Sequence, residues 1–345
     1  MLKKSNTSKR KFSHRGTYYK FSRYLKERFG EPVYKVSIDA GFSCPNKDGR
    51  LGEGGCIYCD NRAFSINVRA PLSIPIEKQI ENGIEFGKIR YNAKKFIVYF
   101  QAYTGTYLPA KSFGAGGDIK ALKQKYDVVR KFDDIIGLAI GTRPDCVNGE
   151  ILDLIESYTK DYAVRRQRLC RRREVWIEYG LQSIHDKTLK LINRNHTYED
   201  FVKAVKLTQG RNIKICAHII IGLPGETEDE ILQTAEALAQ LKVDGVKIHP
   251  LHIVKGTKLE ELYNEGKYKP LQLEDYVNLA VKFLELLPKD MVIQRITADC
   301  PKELLVAPEW LNNKQLVLNM IEKKLEEKDT CQGKQFKSEK VKVKR

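Results

Sequence analysis

Long apolar runs are missing from this chain. The first thirty residues hold basic and aromatic side chains but no apolar stretch, so neither a signal peptide nor an anchor is expected. No later segment approaches the roughly 20 apolar residues that span a bilayer. Acidic residues are also in deficit. Asp and Glu number 44 against 61 Lys and Arg, a formal net charge of +17. Such a surplus attracts polyanions, RNA first, although a basic protein with no nucleic-acid role has the same composition. Paired cysteines are lacking too. Cys146, Cys170, Cys216, Cys300 and Cys331 are scattered singly, which is no disulfide framework and fits a reducing cytoplasm. Cys300, before Pro301 at a strand end, is open to a redox role or to being a buried inert thiol. Low-complexity tracts and fixed-period repeats are absent, as are RRM, KH and zinc-knuckle patterns. The Gly114-Ala-Gly-Gly117 turn lacks the strand context of a nucleotide fingerprint and reads as a loop.

What is present is a concentration of three cysteines, Cys44, Cys56 and Cys59, spaced C-x11-C-x2-C. Glycines and charged residues surround them, so the stretch is a loop with no apolar face for a thiol to join. A metal centre explains this economically. Zinc on three cysteines needs a fourth ligand or keeps a water. An iron–sulfur cluster normally takes four cysteines, so three leave one iron open to an external ligand. Tyr58 stands between the paired cysteines, where its ring could shield a cluster and its backbone could meet a ligand.

Around the cysteines the chain alternates. Candidate strands are 33–38, 95–101, 134–141, 175–182, 213–222, 245–254 and 291–297, several of them near-continuous apolar runs suited to parallel strands buried on both faces. Helical stripes lie between: Ile76, Ile80 and Ile84 behind Ser73 and Pro75; Ile119, Leu122, Tyr126 and Val129; Ile151, Leu154, Ile155 and Tyr158 behind Asn148. Thr197 to Asp200 and Thr227 to Glu230 open two more helices, and 273–287 forms the last long one. The expectation is an α/β fold, a partial (β/α)6 TIM-like barrel of parallel strands with a C-terminal extension; periodicity alone leaves an open doubly wound sheet as the competitor. The expected organisation is a basic arm over 1–16, a core over 17–290, an extension over 291–325 and a basic tail over 326–345.

In a parallel sheet the active site lies beyond the carboxyl ends of the strands. The cysteine loop follows the first strand. Gln101 to Tyr107, Gly141 to Asp145, Gly180 to Ser183, Gly222 to Glu226 and Lys255 to Thr257 follow the next five. Each alone is an ordinary turn; together they describe an active-site mouth.

The cysteine spacing, the Tyr58-Cys59 pair and the motifs Gly180-Leu-Gln-Ser183, Ile192-Asn-Arg-Asn-His196 and Ile221-Gly-Leu-Pro-Gly225 resemble the radical S-adenosylmethionine superfamily. The likeness covers roughly residues 20 to 310 and narrows to the branch of the Elongator catalytic subunit, coproporphyrinogen dehydrogenase and the YhcC-type proteins. The usual C-x3-C-x2-C gap is shorter; the long first gap matches the Elongator-like branch. The resemblance implies a [4Fe–4S] cluster on Cys44, Cys56 and Cys59 whose open iron is chelated by S-adenosylmethionine. One electron then yields methionine and a 5′-deoxyadenosyl radical that takes hydrogen from substrate. By the same resemblance Tyr103, Thr104 and Gly105 hold the methionine amino group through backbone carbonyls. Glu178 and Gln182 meet ribose hydroxyls, Arg194 pairs with the methionine carboxylate, and the turn from Gly222 to Gly225 approaches the adenine.

Plainer roles exist for several of these. Glu178 could be a structural carboxylate paired to Arg143 or Arg194, Arg194 could cap the preceding helix, and His218, His249 and His252 read as ordinary hydrogen-bonded strand histidines. The arginines from Arg165 to Arg173 could hold RNA backbone or form a solvated connector. Neither an extra three-cysteine domain of the methylthiotransferase kind nor the acetyltransferase domain of the Elongator subunit is expected. The expected function is radical modification of tRNA, with a reduced flavodoxin- or ferredoxin-type electron donor. MnmL-like members of the YhcC group imply conversion of the wobble-uridine 5-carboxymethylaminomethyl group to aminomethyl. The alternatives are a radical enzyme on a small molecule or cofactor precursor, and a non-catalytic zinc- or cluster-bearing RNA-binding protein.

Overall fold

The computed structural model describes residues 17–65, 68, 74–108, 119–160, 162–163, 170–171 and 173–337. The 1–16 arm, the Gly114–Gly117 turn, most of the Arg165–Arg173 cluster and the last eight residues lie outside them.

Among the described residues the main sheet has seven strands: β1 Val33–Ile38, β2 Lys95–Phe100, β3 Ile135–Thr142, β4 Glu174–Gln182, β5 Lys214–Ile221, β6 Gly245–Pro250 and β7 Val292–Arg295. They lie side by side in chain order, every neighbouring pair parallel. A doubly wound sheet reverses its strand order at a switch point. This one never reverses, and it curls into a half-barrel. The seventh strand pairs with β6, so a segment expected in the C-terminal extension is part of the barrel.

Period-two alternation decides what each strand gives to which side. Val36, Ile38, Phe96, Val98, Phe100, Leu138, Ile140, Ile177, Tyr179, Ile215, Ile219 and Ile248 belong to the core shared with the outer helices. The longer helices among the described residues are α1 Phe21–Phe29, α2 Ile76–Tyr91, α3 Ile119–Asp127, α4 Gly149–Ser157, α5 Tyr198–Thr208, α6 Glu228–Gln240, α7 Leu273–Leu286 and α8 Lys314–Glu327. Asn148 caps α4, and Thr197–Asp200 and Thr227–Glu230 close reciprocal capping boxes on α5 and α6. The N-cap of α2 is Pro75; Ser73 lies outside the described residues. After α3 the stripe continues to Val129 through a 3-10 turn, Val128–Lys131. Thr227→Ala should lower stability by about 1 kcal/mol, because the Glu230 amide of the buried-face helix loses its acceptor, while Thr227→Ser should change little. Thermal melts of the two variants check this.

The inward positions build three layers. At the amino ends of the strands Ile97, Ala139, Trp176, Cys216 and Val292 form an apolar plug with Leu25 of α1. The rings of Phe21 and Tyr24 stand edge-on to Trp176, each at 5.9 Å. Above the plug comes a charged layer, and above that the cysteine loop. A short antiparallel pair, Ile253–Val254 with Leu305–Ala307, flanks the mouth.

Residues 328–337, which fall within the basic tail expected over 326–345, are packed instead. Buried Gln332 donates to the carbonyls of Pro288 and Met291, at 2.6 and 2.8 Å, and accepts from the Tyr19 amide at 2.8 Å.

Candidate active site

The cysteine loop is built by turns and then fastened to the segment after β4. Lys47 and Asp48 amides return to the Cys44 carbonyl at 2.8 and 3.1 Å, and the Cys59 amide to Cys56 at 2.9 Å. Gly54 and Gly55 take φ of +76° and +82°, values that strain any residue with a Cβ. The Asn193-Arg194-Asn195-His196 motif supplies the fastening. Asn46 donates to the Asn193 carbonyl at 2.6 Å, Asn193 to the Gly55 carbonyl at 2.8 Å, and the Ile57 amide to the Ile192 carbonyl at 3.1 Å. Arg143 grips this segment from β3, donating to the carbonyls of Arg194 and Asn195 at 2.8 and 3.0 Å while forked onto Asp145. The GTRPD motif is therefore a clamp on the NRNH motif.

Arg194 is neither a helix cap nor a partner of Glu178. Its buried guanidinium donates to the Gly180 carbonyl at 2.7 Å and to His196 Nε2 at 2.9 Å, and its third nitrogen lies 3.6 Å from Cys56 Sγ. His196 accepts there as a neutral ring, its pKa pushed down to about 3 by burial and by Arg194. Side-chain amides complete the surroundings of the sulfurs, Asn46 at 3.7 Å from Cys56 Sγ and Asn61 at 3.7 Å from Cys59 Sγ. N–H groups aimed at thiolate sulfur are what tune cysteine-bound clusters. Burial, then the Cys56 sulfur, pushes the Cys59 thiol up to about 12, so metal must displace a proton to bind. Among the described residues no three His, Cys, Asp or Glu side chains are arranged around a single metal ion.

The cysteines open onto a cavity of about 210 Å³ running down the half-barrel. Cys44, Cys56, Tyr58, Cys59, Tyr103, Thr104, Glu178, Gln182 and Arg194 all line it. Tyr103, at φ +58°, donates its amide to Asn61 Oδ1 at 3.0 Å, and no described group donates to its carbonyl. The Thr104 carbonyl is taken by the Tyr107 amide at 2.9 Å. Gly105 does not reach the cavity: its carbonyl accepts from Tyr126 Oη at 2.5 Å, and a Cβ there would meet Gly141 O at 2.8 Å. Gly222 and Gly225 also fall outside. They line a separate groove with Lys267 and Leu271, and Tyr268 donates to the Gly222 carbonyl at 2.9 Å. The Gly222 carbonyl thus has its own hydrogen bond, while Leu223 of the same turn joins the apolar cluster of Cys56 and Tyr58.

Glu178 is the centre of the charged layer. One carboxylate oxygen takes Lys35; the other takes Lys247 and, at 2.9 Å, His218 Nε2. Burial works against its charge, yet Lys247 and Lys35 hold the carboxyl well below the usual carboxylate range. Burial pushes His218 down to about 4, so its ring donates as a neutral imidazole. Glu178 is thus a buried carboxylate paired to two lysines rather than to Arg143 or Arg194, and it lines the cavity. Gln182, at φ +75°, has no side-chain partner among the described residues. His252 is 6% exposed; its Nδ1 lies 3.2 Å from the Pro250 carbonyl and must donate, leaving Nε2 a lone-pair acceptor with no partner on the cavity wall. Lys35, Lys247 and Arg295 were not singled out from the sequence, and His252, read there as an ordinary hydrogen-bonded histidine, has an unpartnered Nε2. The legible signal was a lysine at an inward position of an apolar strand, as in Gly245-Val-Lys247-Ile-His249.

A family profile described as Radical SAM superfamily matches residues 49–238, and one described as Radical_SAM C-terminal domain matches 243–327. The chain belongs to the radical SAM superfamily. Within it, this radical SAM enzyme is 37% identical to protein YhcC of Escherichia coli K12 over 290 residues, 84% of this chain and 86% of that one. It is 30% identical over 194 residues to the tRNA uridine(34) acetyltransferase of Methanocaldococcus infernus, covering 55% of this chain and 34% of that protein. The solved structure of M. infernus Elp3 superposes with a TM-score of 0.56 over 87% of this chain and 64% of the other, at 20% identity, which speaks for the fold. These likenesses place the enzyme in the branch of the Elongator catalytic subunit and the YhcC-type proteins. Membership implies a [4Fe–4S] cluster and S-adenosylmethionine. No helix of the described residues is long and apolar enough to cross a membrane.

Proposed function

We propose that Cys44, Cys56 and Cys59 hold a [4Fe–4S] cluster and that the cavity beside them takes S-adenosylmethionine in order to modify tRNA. The observation that carries the site assignment is the donor set. Three thiols face one cavity, and Asn46, Asn61 and Arg194 turn N–H groups toward two of the sulfurs. When bound, cluster and S-adenosylmethionine supply a 5′-deoxyadenosyl radical, given one electron from a reduced flavodoxin- or ferredoxin-type protein.

The chain's own residues do the rest. The Tyr103 carbonyl and the Gln182 amide are unengaged polar groups on the cavity wall and suit the amino and ribose groups of S-adenosylmethionine. Arg194, fixed by Gly180 and His196, stays on the cluster side and balances thiolate charge. Tyr58, with its buried ring beside Ile220 and Leu251, keeps water from the sulfurs.

Two things support tRNA as substrate: the basic surplus of the whole chain and the similarity to a tRNA uridine(34) acetyltransferase. The finer reading is the wobble uridine, with the 5-carboxymethylaminomethyl group converted to aminomethyl. Nucleoside mass spectrometry of tRNA from a deletion strain and its complemented parent tests this. Accumulation of the carboxymethylaminomethyl nucleoside at the expense of the aminomethyl one is expected. Unchanged modified uridines would overturn the tRNA reading.

A further inference from the structure

Below the cysteines, Lys247 and Arg295 bring hydrogen-bond donors to the cavity wall, and Lys35 and Gln294 adjoin Glu178 off that wall. Lys35 has three N–H bonds and gives two, to Glu178 and, at 3.2 Å, to Gln294 Oε1. Lys247 has three and gives one, to Glu178. The Gln294 amide nitrogen is buried with no partner. Arg295 reaches the same cavity, and its ion pair is a long one, 3.9 Å to Asp299, which also takes Lys314 at 3.1 Å. Against these, both Glu178 oxygens are engaged, and an unpartnered acceptor on the wall, His252 Nε2, carries no charge. Cationic donors with N–H bonds to spare beside an engaged carboxylate have the complement of an oxyanion.

Charge points the same way. Lys35 and Lys247 share one carboxylate, and both ammonium groups sit over the face of Tyr99, each 4.2 Å from its centroid. A buried ion pair that served packing alone would match its charges, because every unpaired buried charge is costly. Here two lysines share one buried carboxylate, and Arg295, in a long ion pair with Asp299, lines the same cavity. Burial, with Lys35 and Arg295 adding to it, pushes the Lys247 pKa down to about 7 despite Glu178. A second anion would relieve that crowding.

We propose that Lys247 and Arg295, with Lys35 sharing the Glu178 carboxylate, form an oxyanion subsite that holds a negatively charged group of the substrate at the floor of the radical-generating cavity. This deepens the proposed function and rests on it for one point, that the cavity above is where the radical forms. The anion is a carboxylate or a phosphate. Held on the floor, it leaves the neighbouring carbon of the substrate pointing toward the cysteine end. His252 Nε2 stands on the same cavity wall, free to accept from an N–H or O–H of what binds.

The test is calorimetric titration of the reconstituted, S-adenosylmethionine-loaded full chain with three probes: 5-carboxymethyluridine, its neutral methyl ester, and uridine 5′-monophosphate. The wild type should bind one of the two anions about tenfold more tightly than the ester, the effect of one charge-assisted contact. A preference for carboxymethyluridine assigns the subsite to a base-borne carboxylate; a preference for the monophosphate assigns it to a nucleotide phosphate. Arg295→Gln should bring anion and ester within about twofold. Lys247→Met leaves Glu178 short of a partner, so Glu178→Gln/Lys247→Met, which removes a charge of each sign, should lose the preference as well while melting near wild type. Equal binding of all three probes by the wild type would overturn the subsite, as would a preference that survives in both variants. A preference that is present while tRNA uridines stay unchanged in the deletion strain would keep the subsite and discard tRNA.

Discussion

Cys56→Ala should abolish formation of 5′-deoxyadenosine. The argument is one of coordination and surroundings. With three thiols in the loop, loss of one leaves a cluster with two protein ligands and a second open iron. Cys56 is also the sulfur that most of the shell addresses, with Arg194 at 3.6 Å and Asn46 at 3.7 Å. Its removal leaves the buried guanidinium of Arg194 without the thiolate charge it faces. After anaerobic reconstitution, the visible absorbance of an iron–sulfur centre should fall with the iron content. Nucleoside release under dithionite should drop below detection. Cys44→Ala and Cys59→Ala should behave alike, whereas Cys146→Ala, which alters a thiol of the Arg143-Pro-Asp-Cys turn, should keep the full iron content. Retention of cluster and nucleoside release by any of the three loop variants would remove that cysteine from the site.

Glu178→Gln should cost about 3–5 kcal/mol of stability, the range for breaking a buried ion pair from one side. Lys35 and Lys247 would then be held together over Tyr99 with no opposing charge. The pH dependence has a definite sign. The folded-state pKa of Glu178 is depressed, so its contribution is fully present above the usual carboxylate range and is lost as pH falls through the depressed value. Wild type should therefore lose stability on acidification in that interval, and the Gln variant should lack that part of the loss. Replacing the whole unit, Lys35→Met/Glu178→Leu/Lys247→Met, should recover most of the stability, since apolar groups of similar volume often match a buried ion pair. It should not recover substrate binding. Recovery of both would mean that the layer only fills the barrel. Urea melts across pH and the nucleoside titration separate the outcomes.

The strands were the most legible part of the sequence, because inward and outward faces are both buried and the apolar runs are nearly continuous. The capping boxes at Thr197 and Thr227 were equally plain, since side chain and amide sit at a fixed local spacing. The seventh strand was seen as a strand but assigned outside the core; its partner β6 lies some forty residues earlier, and local pattern carries no register. The cysteines were found by being out of place in a polar loop.

Roles that depend on which way a group turns were not legible. Gly105 and Thr104 stand next to Tyr103 in sequence, yet their carbonyls are consumed by Tyr126 and by the Tyr107 amide. Gly222 and Gly225 follow β5 as a strand-end turn should, but open onto a different groove. Glu178 was recognised as a carboxylate needing a partner. Its partners come from β1 and β6, strands separated from it by two neighbours on one side and one on the other. Only the curl of the half-barrel brings their inward lysines together.

The most direct test of the account is the metal and product content of the wild-type chain after anaerobic reconstitution with iron and sulfide. The account predicts about four iron per chain and 5′-deoxyadenosine released when S-adenosylmethionine and a reductant are added. One zinc per chain and no nucleoside would contradict it.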